Sequence, residues 1–142
     1  MRSLLSVLAG IAALTVASFA IEAVVDTLLL WAFPQTLPDH AALSVNPWTR
    51  ILTFTYRSLC VAAGGYITAR IARRWPMRHS AAMGLTQAGL TIVAMLSPAS
   101  SHASRSQWIA TAILGLAAAL AGGLFYKSRN LDERLAQTPE SA

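Results

Sequence analysis

Acidic residues are scarce in this sequence. Among 142 residues there are six Asp and Glu against eleven Lys and Arg, and charged residues together make up 12%. An ordinary globular domain carries about 25%, so a water-facing surface over a core of this size is hard to build. Cysteine is nearly absent as well. The single Cys60 excludes a disulfide framework and a cysteine-based metal site within one chain. Three histidines, His40, His79 and His102, lie scattered with no metal-ligand spacing, and neither a metal nor another cofactor is implied. There is no P-loop, no Rossmann glycine pattern and no nucleophile elbow. With no nucleophile, metal or general-base set converging, an enzyme is not expected.

What the chain has in quantity is apolar sequence. Hydrophobic residues make up 55%, and the mean hydropathy is +0.51. The net charge of +5 would suggest a nucleic-acid partner in a soluble protein. Here the basic residues stand at the ends of apolar runs, where topology and anionic headgroups account for them. The cluster Arg70, Arg73, Arg74 and Arg78 lacks interleaved aromatics. It reads as a set of lipid-headgroup contacts, and no nucleic acid is expected.

Four apolar runs imply helices at about 4–33, 50–74, 79–97 and 106–127. A bilayer core of ~30 Å needs roughly 20 helical residues, within a range of about 17 to 25. The expected fold is therefore an all-α polytopic membrane protein: one transmembrane domain over 1–127, a bundle of four transmembrane helices, and a polar cytoplasmic tail over 128–142. That tail has a candidate short helix from Leu131 to Gln137. Pro34, Pro38 and Pro47 bracket the first loop, Trp75-Pro76-Met77-Arg78 makes a tight second connection, and Ser97-Pro98 ends the third run. Proline there removes a donor and stops a helix. Trp31, Trp48, Trp75 and Trp108 all fall at these boundaries, the depth that indole favours.

Lys and Arg set the orientation. Arg2, Arg70, Arg73, Arg74, Arg78, Lys127, Arg129 and Arg134 would share one side, with only Arg50 and Arg105 opposite. This places both termini in the cytoplasm, and the bacterial inner membrane is the expected location. A cleaved signal peptide competes with this reading, because Ser18-Phe19-Ala20 resembles a small-residue cleavage site. Against it, apolar residues resume at once through Trp31; cleavage would leave three spans.

Polar residues inside the runs fall on stripes. On a helix, Thr15, Ser18, Glu22 and Asp26 lie within about 80° of arc. Thr53, Arg57, Cys60, Gly64 and Thr68 form a stripe on the second helix, and Ser80, Gly84, Gln87 and Thr91 one on the third. Such faces belong in the bundle interior. Asp26 lies seven residues before Phe33, and Arg57 lies seven after Arg50. Equal depth from one side predicts a structural ion pair between Asp26 and Arg57, which offsets the desolvation of either charge alone. Glu22, one turn deeper, could share Arg57, hydrogen-bond Gln87 or hold a proton. Glu22 and Gln87 are the candidate proton or ligand site. Helix packing is assigned to small residues: Gly64 and Gly65, Gly84, and the Gly115-xxx-Ala119-xxx-Gly123 stripe. That spacing does not separate packing within the chain from a homodimer or another membrane partner. Ala63-Gly64-Gly65 and Ala121-Gly122-Gly123 form a short internal echo.

The stretches Tyr56-Arg57, Gly64-Gly65-Tyr66-Ile67-Thr68-Ala69-Arg70-Ile71-Ala72, Pro76-Met77-Arg78-His79-Ser80-Ala81 and Gly84 resemble a group of small uncharacterised bacterial inner-membrane proteins. These share a GGYxxAR helix end, then RPMxHA and a glycine one turn on. Asp26 before Ala32-Phe33-Pro34 is similar too, while Trp75 and Ser80 depart from the group's Arg and Ala. The resemblance covers about half of the chain and implies a four-helix membrane protein without assigning an activity. Small multidrug resistance transporters offer an analogy: they too are short, with four helices and a carboxylate in the first, where Glu22 stands. Their aromatic-rich signatures are not seen here. The leading expectation is an interaction or accessory subunit embedded in the lipid bilayer; the alternative is a small proton-coupled transporter using Glu22.

Overall fold

The computed structural model describes residues 2–72, 75–97 and 104–136. It is all-α, with α1 (Arg2–Ala32), α2 (His40–Val45), α3 (Pro47–Ala72), α4 (Pro76–Met95) and α5 (Arg105–Ala136), and no strand among the described residues. Two of these helices, over Leu5–Ala32 and Arg105–Leu131, are long and apolar enough to cross a membrane. Large apolar side chains point outward from every long helix, among them Leu8, Val16, Leu59, Val93 and Ile113.

The helix starts are encoded locally. Asn46 precedes Pro47, and its Oδ1 accepts from the Trp48 amide at 3.0 Å. A side-chain cap followed by proline at the first helical position is a strong start signal, and it begins α3 three residues before Arg50. At α5 the Ser104 amide donates to Gln107 Oε1 at 2.8 Å, and the Gln107 amide donates back to Ser104 Oγ at 3.3 Å. This is a reciprocal capping box. The helix then runs without a break to Ala136, so the expected division into a span ending near 127 and a separate short helix is corrected to one helix. Gln137 lies outside the described residues. Leu131, Glu133, Arg134 and Leu135 are good helix formers, and an existing helix propagates through them more easily than a new one nucleates. The expectation also missed α2. It is capped by Asp39, whose Oδ1 accepts from the Ala42 amide at 2.8 Å, and is anchored by buried Leu43.

The long helices cross at small residues. α1 packs on α3 and α4, α5 packs on α3 and α4, and α3 also touches α4; α1 and α5 do not meet among the described residues. α1 and α3 are antiparallel, with Gly10 against Gly64 at one end and Glu22 against Arg57 toward the other. A Cβ on Gly64 would stand 2.9 Å from the Gly10 carbonyl oxygen, so the two backbones touch. The adjacent Gly65 faces α5 instead, where a Cβ would lie 2.9 Å from Ala119 Cα. Gly122 returns that contact against Ala62, and Gly123 faces Ser80 of α4. Each double glycine therefore serves two neighbours, because successive helical residues point about 100° apart. Gly84 meets Ala119 and Leu116. Ser80 adds a buried hydrogen bond, donating to the Gly65 carbonyl at 2.9 Å.

These crossings lie toward one end of the bundle, where α1 and α4 begin and α3 and α5 run out. Leu14, Cys60, Val61, Met83 and Ala119 form the buried core just beyond them. Past that core the helices diverge.

Candidate functional site

The divergence leaves a cavity of about 720 Å³ in the wide half, within the usual range of roughly 300–1,000 Å³ for a ligand pocket. Leu14, Val61 and Gly115, from three different helices, line it beside the core. α2 contributes His40, Leu43 and Ser44. Leu43 is held by its own burial and by the Thr49 hydroxyl, which donates to its carbonyl oxygen.

The walls differ in charge. α1 presents Glu22 and Asp26; α3 presents Arg50 and Arg57; α4 adds Gln87, and α5 adds Trp108. Several wall hydroxyls are already committed. Thr15, Thr91 and Thr111 donate to the carbonyls of Ile11, Gln87 and Gln107, at 2.8, 2.9 and 2.8 Å. Such bonds to the preceding turn let threonine sit in an apolar helix, and they leave the charged groups, the Gln87 amide and the Trp108 indole as the main polar handles.

Arg57 pairs with Glu22. Its Nη2 donates to both carboxylate oxygens, at 2.7 and 2.9 Å. The expected Asp26–Arg57 pair is thus corrected: Asp26 Oδ2 lies 3.8 Å from His40 Nδ1. The cause is helix register. α3 starts at Pro47 and α1 ends at Ala32, so Arg57 lies ten residues into one helix and Glu22 ten from the end of the other. Both sit about 15 Å deep, while Asp26 is about 6 Å shallower and level with α2.

Gln87 lines the same cavity from α4, and its Cγ would lie 3.7 Å from a Cβ on Gly115. Gly115 therefore stands at a cavity wall with room beside it, whereas Gly64, Gly65, Gly84, Ala119 and Gly123 stand at the tight crossings. Gly10 and Gly122 belong to those crossings too and were missed from sequence. Arg70 and Arg78 are exposed at the narrow end, and Arg78 stacks 4.4 Å from the centre of the Trp75 ring. Arg73 and Arg74 lie outside the described residues. Trp31, Trp48 and Trp75 are exposed. Trp108 departs from their pattern: it lines the cavity, and its Nε1 is buried without a hydrogen-bond partner among the described residues.

No protein-family model, curated protein or solved structure matches the chain.

Proposed function

We propose that this chain is a multi-pass protein of the bacterial inner membrane, with α1, α3, α4 and α5 as four spans, and that it binds and moves a small charge-bearing solute. The observation carrying this reading is the charged cavity in the wide half of the bundle. The four long helices have 31, 26, 20 and 32 residues, each enough for a bilayer needing roughly 17 to 25. Their outward apolar side chains suit lipid. Arg70, Arg78 and Lys127 stand toward the narrow end, Arg50 and Arg105 toward the wide end. By the positive-inside tendency, the narrow end and both termini are cytoplasmic and the cavity opens outward.

An interaction or accessory subunit, the leading expectation from composition, gives no role to a cavity of this size lined by four charged side chains. A proton-coupled transporter does. Glu22 is the carrier: its carboxylate gives up a proton when solute enters and regains one when solute leaves, so that solute and proton exchange. The tight glycine crossings are the fulcrum on which α1 and α4 rock against α3 and α5. The resemblance to small four-helix inner-membrane proteins agrees with this architecture.

Reconstitution tests the reading. Vesicles holding the purified full chain are loaded with a pH-sensitive dye and given zwitterionic, cationic and anionic solutes in turn. One class should drive proton movement, and Glu22→Gln should abolish it. Absence of any flux, together with a stoichiometric partner retained from native membranes in mild detergent, would overturn transport in favour of the accessory role.

A further inference from the structure

We infer that the cavity's occupant is an amphipathic zwitterion, with its ammonium group on the α1 wall at Glu22 and Asp26 and its anionic oxygens on the α3 wall at Arg50 and Arg57. The inference rests on the reading of the cavity as a binding site and names what it binds.

Charge balance carries the first step. Two carboxylates and two guanidinium groups line the space, so together they attract neither a net cation nor a net anion. They are segregated, with the acids on one helix and the bases on another. A ligand carrying both charges gains at both walls, and in a partly dehydrated cavity each contact is worth more than in water.

The Glu22–Arg57 geometry carries the second. A guanidinium group often meets a carboxylate as a fork, through two nitrogens. Here only Nη2 reaches Glu22. A ligand anion can engage the rest of the guanidinium without breaking the pair. The Trp108 indole adds a buried donor without a partner among the described residues, suited to an anionic oxygen. Thus α3 and α5 supply donors, and α1 supplies acceptors.

Access carries the third. A second cavity of about 500 Å³ is lined by Phe19, Glu22, Ala23, Asp26, Thr27, His40 and Arg57. It shares Phe19, Glu22, Asp26, His40 and Arg57 with the main cavity, while Ala23 and Thr27, exposed on α1, line the second cavity alone. The charged group is therefore approached from the flank of the bundle as well as from within. The main cavity also offers apolar lining at Leu14, Leu29, Leu90 and Leu114. A purely polar solute makes no use of either feature. An ammonium and an anionic group joined to an apolar portion uses both, whether the source is an apolar amino acid or the headgroup of a zwitterionic phospholipid.

Native mass spectrometry of the full chain in detergent tests this with phosphatidylethanolamine, phosphatidylglycerol of the same chains, and free leucine as probes. The expected result is that a zwitterionic probe binds about tenfold or more tightly than phosphatidylglycerol, and that Asp26→Asn and Arg50→Gln each weaken it about tenfold, as loss of one charge-assisted contact does. Neither residue belongs to the 2.7 Å pair, so both variants should fold, with helical circular dichroism as the check. Gly115→Leu fills the cavity from a wall where a Cβ has space, and it should abolish binding. Leucine bound in lipid-free detergent identifies a solute; phosphatidylethanolamine retained against excess leucine identifies a lipid; both outcomes support a zwitterion. Equal binding of phosphatidylglycerol, lost in Gly115→Leu, would overturn the zwitterion and leave the binding cavity standing. Zwitterion binding unchanged by Asp26→Asn and Arg50→Gln would overturn the two-wall assignment in the same way. Binding of no probe, or binding indifferent to Gly115→Leu, would overturn both.

Discussion

Replacing Gly122 by alanine adds one methyl group at the α3–α5 crossing. The structure says where it would go: into the Ala62 carbonyl oxygen, with the Ala62 carbonyl carbon and the Tyr66 amide nitrogen each 2.9 Å away. Carbon contacts settle near 3.5–4.0 Å, so the helices would have to part by roughly 1 Å. The obstructing atoms are backbone, and no side-chain rotamer can relieve them. Overpacking of this kind costs about 1–3 kcal/mol. The upper part of that range applies, because parting α3 from α5 also loosens the Gly65–Ala119 contact one turn away. Alanine recovers up to about 1 kcal/mol of helix propensity, which leaves a net loss near 2 kcal/mol. Gly89→Ala is the matched control: nothing among the described residues lies within 4 Å of its Cβ position, so only the propensity gain remains, at most about 1 kcal/mol. The same chemical change should therefore shift stability in opposite directions, with a gap of about 3 kcal/mol between the two variants. Loss of helical circular dichroism on titrating sodium dodecyl sulfate into detergent-purified protein measures it. Two variants within about 0.5 kcal/mol of each other, the usual spread of surface changes, would refute the claim that glycine contact sets the bundle's narrow end.

Three further outcomes follow from the geometry. A double-mutant cycle between Glu22→Gln and Arg57→Gln should give a coupling of about 0.5–1 kcal/mol, held down by the partial exposure of both side chains, whereas Asp26→Asn with Arg57→Gln should give none above error in the same titration. Cys60 is 4% exposed and should resist maleimide in the folded protein, while a thiol introduced by Ser44→Cys on α2 should react from the periplasmic side with a membrane-impermeant reagent; equal labelling of the two would contradict the placement of the cavity. A reporter fused after residue 142 should be active only if its chemistry works in the cytoplasm, as a green fluorescent protein does and an alkaline phosphatase does not, and the reverse pattern would invert the bundle.

Much of the helical framework was legible. Hydropathy and the prolines at 34, 47, 76 and 98 outline four long segments because apolar length and lost donors act locally. What hydropathy cannot see is helix that carries little of it. α2 has only six residues, and its signal is the Asp39 cap alone. The last nine residues of α5 read as polar tail because the scale reports solvent preference, while helicity there follows from propensity and from the helix already formed. The charge pairing failed for a related reason. Depth was counted from Arg50, the first charge, although the cap at Asn46 sets the origin. Three residues of error equal most of a helical turn, and a turn is the difference between Asp26 and Glu22.

The packing glycines show the deeper limit. A stripe such as Gly115, Ala119 and Gly123 marks one face of one helix, but α5 has two neighbours. Gly123 serves α4, and Gly122, about 100° around, serves α3. Only the partners reveal that both matter. The same partners decide where the cavity lies. Helices in backbone contact at one end can remain so along their length only if small residues continue on the facing sides. Beyond Leu14, Val61 and Gly115 the residues lining the gap include Phe54, Leu90 and Trp108, too large for such contact. The helices must diverge there, and the space between them is the space that Glu22, Asp26, Arg50 and Arg57 line. Small residues at one end and large ones at the other thus account for both the tight crossing and the charged cavity.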